Sequence, residues 1–133
     1  MTALSDIARA LAGIASDGMS MPVYPARQPD QTAGTGYVRL VRAAAGATAR
    51  AATSTWEVTV LAAADDMPAG ELAALDACGL AAASLMGCLR PGTATWDGTA
   101  IGLRPGTATI APQAAPPVWE ATYTLDVACD WPA

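Results

Sequence analysis

With His and Lys both absent, carboxylates, guanidinium groups and thiols are the main candidates for reactive or ligating chemistry in this 133-residue chain. Without His there is no Ser-His-Asp or Cys-His machinery and no H-E-x-x-H zinc site. Without Lys there is neither a Walker A loop nor a Schiff base. Two carboxylate pairs remain, Asp65 with Asp66 and Asp126 with Asp130, which in principle suit a cation or a glycosidase-like mechanism. Asp65-Asp66 directly precedes Met67-Pro68, where carboxylates meet the positive end of a helix dipole and Pro fits the first turn, so capping explains that pair. The second pair lies in the last residues, where solvated charge is the ordinary reading. Gly34-Thr35-Gly36 begins like a dinucleotide fingerprint, but the third Gly is missing and a strand follows where a helix is needed. Arg39, Arg42 and Arg50 cluster around one predicted hairpin and could meet acidic partner surfaces or phosphates; solubilising charge is the plainer alternative. Cys78, Cys88 and Cys129 are odd in number and lack paired spacing, so they read as small buried hydrophobes in a reducing compartment. No enzyme activity, metal or cofactor is expected.

These residues must be carried by a single domain, because dividing 133 residues would leave each half too little surface to bury. Hydrophobic residues make up 53%, yet Ala supplies the largest share, Phe is absent, and Leu, Ile, Val and Met together reach only about a fifth. The core of one copy is therefore thin, and with disulfide and metal routes closed, oligomerisation is the remaining supplement. The N-terminal residues carry Asp6 and a periodic apolar pattern instead of a leader peptide's basic region and apolar block, so a cytoplasmic location is expected. The longest uncharged run, Ala77 to Leu89, is too short and too rich in Gly and Ala to span a bilayer, so no membrane segment is expected. A net charge of −5 counts against tight nucleic-acid binding, which needs a basic stripe to displace counterions.

Periodicity then places the elements. Leu4, Ile7, Leu11 and Ile14 recur at helical spacing with Ser5, Asp6, Arg9 and Asp17 elsewhere on the wheel, which predicts an amphipathic helix over 2–16 capped by Thr2 and followed by Gly18 in the left-handed conformation. Val23-Tyr24 suits a short edge strand within a Pro-rich connector, and Tyr37–Arg42 alternates as a strand. Residues 43–53 either loop out or extend two strands into a long hairpin arm. Ser54–Ala62 places Trp56, Val58, Val60 and Ala62 on one face and Glu57, Thr59 and Leu61 on the other. Val118–Cys129 repeats the pattern, with Trp119, Ala121, Tyr123, Leu125, Val127 and Cys129 against Glu120, Thr122, Thr124 and Asp126. The Leu-Arg-Pro-Gly-Thr-Ala-Thr echo at 89–95 and 103–109, with Trp96-Asp97-Gly98-Thr99 between its copies, predicts a small meander with Pro-Gly at turn centres. The fold class is α+β, a small mainly antiparallel sheet packed against two helices.

The second helix, running to Leu89, carries a stripe of Leu72, Leu75, Gly79, Ala82, Met86 and Leu89 that predicts its buried face. Its other side holds Ala74, Ala77, Ala81 and Ser84, where a solvated helix would carry Lys, Glu or Arg. One reading is Ala chosen for helix propensity; the other is a second buried face, a candidate subunit interface.

In order, length and pattern the chain resembles the tail terminator proteins of long-tailed bacteriophages. The likeness is carried by Val23-Tyr24-Pro25 after the first helix, by Trp56-Glu57-Val58-Thr59-Val60, by the helix from Asp65-Asp66 to Leu89, and by Trp119 to Cys129. The long Pro/Gly segment from Arg90 to Pro117 departs from the family pattern. The resemblance implies a subunit of a homo-oligomeric ring, a hexamer, that caps the finished tail tube and ends its polymerisation. It implies partners in the tube protein and a head-side connector or stopper, DNA passing through the lumen without specific binding, and a location in the host cytoplasm and then the virion neck. A tube- or lumen-facing hairpin would carry Arg39, Arg42 and Arg50. Other neck components, a head-tail stopper or adaptor, share parts of the plan, and a small ligand-binding domain using the carboxylates is the alternative of another class.

Overall fold

A computed structural model describes residues 3–29, 34–45, 52–62, 68–112 and 119–129. The elements are α1 (Leu4–Met19), β1 (Val23–Tyr24), β2 (Gly36–Ala45), β3 (Ala52–Ala62), α2 (Pro68–Cys88), β4 (Gly92–Trp96), β5 (Thr99–Leu103), β6 (Thr107–Pro112) and β7 (Trp119–Cys129). They form one seven-stranded sheet in the order β1-β2-β3-β7-β5-β4, with β6 also on β7. Every pairing is antiparallel except β1 with β2. The fold is α+β.

The two strands with matching alternation are the sheet's centre. β3 and β7 pair without interruption from Ala52 opposite Cys129 to Ala62 opposite Trp119. That register sets Trp56 beside Leu125 and Val58 beside Tyr123 on one face, so apolar side chains meet across the ladder as well as along it. The indole of Trp56, 3% exposed, donates to Ser54 Oγ at 2.7 Å, and that hydroxyl in turn reaches the Val127 carbonyl at 3.4 Å. A buried Trp therefore keeps its N–H satisfied without water. Of residues 43–53, those described take the hairpin-arm alternative: β2 and β3 stay paired out to Ala45 opposite Ala52, with a bulge between Leu40 and Arg42.

The meander takes a different form from the one predicted. β4 and β5 make the expected hairpin, with Asp97 and Gly98 both at positive φ in its two-residue turn. β5 and β6, however, do not fold back on each other. Both run along the same edge of β7, Leu103 opposite Val127 and Thr107 opposite Thr124, so Arg104-Pro105-Gly106 faces only Leu125 and Asp126. This is a one-residue bulge in a single long strand. Pro105 has no N–H to give the ladder, while Arg104 N–H donates to the Asp126 carbonyl and Gly106 N–H to Tyr123 Oη. Pro-Gly here marks a jog, where the sequence reading placed a turn.

Both helices lie on the Trp56/Val58/Tyr123/Leu125 face. Ile7 and Leu11 of α1 and Leu85 and Leu89 at the end of α2 are fully buried in one cluster with Val38, Val58, Ile101, Leu125 and Val127. Burial of this kind stabilises by roughly 1.5–3 kcal/mol per large aliphatic side chain. The ends of α1 differ from expectation. Ala3 is the cap residue in place of Thr2, its N–H reaching the Asp6 carboxylate, and the helix runs through Gly18 to Met19 before Ser20 takes the left-handed turn. Gly18 is required for another reason: a Cβ there would strike Cys88 Sγ, so its lack of side chain lets the ends of α1 and α2 approach.

Candidate assembly surface

α2 is rotated relative to the stripe read from its sequence. Its buried line is Ala74, Cys78, Ala82, Leu85 and Leu89, at steps of four, four, three and four. Of the predicted stripe, Ala82 and Leu89 are buried and Leu75 half-buried, but Leu72 is 64% exposed and Met86 44%, and Gly79 is exposed. Leu80, at 72%, is the most exposed large apolar side chain described. The physical reason is that both sides of this helix are apolar, so periodicity alone does not choose between them, and the choice went to the side that seats Leu85 and Leu89 against the sheet.

The four residues expected at a subunit interface therefore divide. Ala77 and Ser84 are exposed and belong to the outward face. Ala74, at 2%, is a correction: it is covered within its own chain and offers no surface to a neighbour. Ala81 is half-buried against Cys78, Ala82, Ala121 and the main core. The outward face actually comprises Leu72, Ala73, Ala77, Gly79, Leu80, Ala83, Ser84, Met86 and Gly87, with Asp76 as its one charge among the described side chains. An exposed apolar face of this kind is a candidate contact surface.

The sheet's second face is polar and internally paired. Thr55 Oγ1 donates to the Asp126 carboxylate at 2.6 Å, the hydroxyls of Thr59 and Thr122 meet at 3.1 Å, and Arg39 bridges Glu57 at 2.8 Å. That hydrogen bond and the Glu57 charge raise the Arg39 pKa further above its ordinary value. Thr59, Leu61 and Tyr37 are nevertheless buried on this side. Gly34 N–H donates to the Leu61 carbonyl and Leu61 N–H to the Thr35 carbonyl, which continues the β2–β3 pairing beyond Gly36, and the Arg27 guanidinium lies 5.6 Å from the Tyr37 ring centre on this face.

Of the three clustered arginines, Arg39 is tied to Glu57, Arg42 is exposed and without an ion pair among the described residues, and Arg50 lies outside them. Among the described residues β1 pairs only with Gly36 and Tyr37 and leaves the rest of β2 as a sheet edge, on which Leu40 is 39% and Val41 51% exposed. Asp65, Asp66 and Asp130 also lie outside the described residues. Asp126 is engaged by Thr55, and no group of three or more His, Cys, Asp or Glu is placed to hold a metal among the described residues. Cys78 is buried and Cys88 half-buried, both as free thiols whose pKa burial raises, the opposite of what a nucleophilic thiol needs. No described helix is long and apolar enough to cross a membrane. No family model and no curated protein matches the chain.

Proposed function

We propose that this protein is a structural phage component: a subunit of a homo-oligomeric ring, a hexamer in the family it resembles, that caps the tail tube, ends its polymerisation and joins it to a head-side connector or stopper. The observation that carries the oligomer is α2, which packs one apolar side against its own sheet and leaves Leu72, Leu80 and Met86 on the other. Covering that side with protein removes apolar surface from water at about 25 cal/mol per Å², the supplement a thin core calls for. The element order along the chain supports the terminator role, and a wall with net negative charge would let DNA pass without retaining it. The protein would act by surface complementarity, in the host cytoplasm during assembly and in the virion neck afterwards.

Purified protein, alone or mixed with tail tube subunits, is expected to reach a mass several-fold that of the 13.4 kDa chain by light scattering and to bind tube ends. A monomer at high concentration with no affinity for tube ends would sink the proposal. Particles lacking the protein should carry over-long or unjoined tails; leaking filled heads would identify a head-side stopper instead.

A further inference from the structure

Two exposed apolar patches in this chain differ in charge, and they sit on different elements. One is the outward side of α2, where Asp76 stands between Leu72 and Leu80 on a single line of four-residue steps. The other is the β2 edge, where the bulge sets Leu40, opposite Trp56, and Arg42, opposite Thr55, on the two sides of the edge with exposed Val41 between them. The charge difference extends beyond these residues. Residues 36–62 hold three Arg and one Glu, net +2, whereas the rest of the chain holds four Arg and eleven Asp or Glu, net −7, within the total of −5. α2 packs over β7, β3 and β6, so its outward side does not serve the β2 edge of its own chain.

We infer that a second copy of this chain covers the outward side of α2, its β2 edge placing Val41 against Leu80 and its Arg42 against Asp76. The contact rests on the oligomer proposed above and names its interface, with the arginine hairpin turned to a neighbouring subunit instead of a tube or lumen. Charge complementarity selects the occupant. A second α2 would set Asp76 near Asp76 and a second β2 edge would set Arg42 near Arg42, both repulsive, while the mixed pairing is attractive. Burying the β2 edge also removes an exposed strand with apolar side chains, which folded proteins cover or blunt. Because the two patches differ, the contact is head-to-tail, and repetition of one such contact generates a ring when its rotation closes.

Arg42→Glu and Asp76→Arg are the test, both at exposed positions that circular dichroism should show to be tolerated by the fold. Each variant alone is expected to fall to the mass of a single 13.4 kDa chain at a concentration where the unaltered protein is assembled, and the chain carrying both is expected to recover the assembled mass. Mixing Leu80→Asp with Val41→Asp should stop at a two-chain species, since each retains one working patch. Single variants that assemble like the unaltered protein, or a combined variant no better than either alone, would overturn the contact while leaving the ring proposal standing. Recovery in the combined variant without binding to tube ends would keep the contact and remove the terminator role. An unaltered protein that stays monomeric at every concentration overturns both.

Discussion

α1 and α2 cover the same side of the same sheet, yet they obey different rules. α1 is polar where it faces water, with Ser5, Arg9 and Asp17 exposed and Ile7 and Leu11 fully buried, so its orientation follows from the wheel. α2 is apolar on both sides apart from Asp76 among the described side chains, and the side that packs is decided by which residues fill the space over β3, β7 and β6. The pair teaches that periodicity determines a buried face only through contrast with a polar one. Where contrast is missing, the outward side is free to be selected for something other than solubility.

The largest test of this contrast substitutes the same residue type on opposite sides of α2. Leu85→Ala removes a fully buried side chain from the common core and is expected to lower stability by about 2–5 kcal/mol. Leu80→Ala, at a position 72% exposed, is expected to leave the stability of an isolated chain within about 0.5 kcal/mol and to weaken association. Urea unfolding at a concentration low enough to keep the chain monomeric measures both. Equal losses at the two positions would mean that α2 does not distinguish a buried side from an exposed one.

Glycines sharpen the same comparison at a smaller scale. A Cβ on Gly13 of α1 would run into the Trp96 indole, which closes over the helix from β4. Gly13→Ala is expected to cost about 1–3 kcal/mol through displacement of that ring, visible as a change in Trp fluorescence. On α2, a Cβ on Gly79 meets nothing within 4 Å. Gly79→Ala should raise the stability of the isolated chain by about 1 kcal/mol, because Ala is the better helix former and nothing resists it. Should Gly79→Ala stabilise the chain yet disrupt the assembly, a close neighbour at that face would be indicated.

Much of the sheet was legible for the reason that α1 was. The alternation in Trp56–Val60 and Ala121–Val127 sets apolar against polar, and the observed faces follow it. Asp97-Gly98 carried its turn in its own backbone preferences. The illegible parts depend on groups distant in sequence. Arg27 lies over the Tyr37 ring, and Pro105 sits in a bulge because β7 runs past it on both sides. The candidate interface was half legible: Ala77 and Ser84 lie on the outward side, but Ala74 does not, since small apolar residues suit either side of such a helix.

The smallest effect concerns the thiols, both on the inward half of α2. Burial raises the Cys78 pKa, with the nearby Glu120 charge adding to it, and burial alone raises that of Cys88. The folded chain thus holds protons that the unfolded chain releases near the ordinary thiol pKa of about 8.5. The native state binds more protons in that range, so this contribution to stability is fully present below about pH 8.5 and is lost as pH rises through the folded values. Denaturant midpoints taken from pH 7 to 10 should fall with rising pH, and Cys78→Ala should flatten the fall. The substitution also leaves a small cavity, but that loss is the same at every pH, so the slope reports the thiol and the intercept reports the packing. An unchanged slope in a chain lacking both Cys78 and Cys88 would mean that the inward side of α2 is open to water, and the distinction between its two sides would not hold.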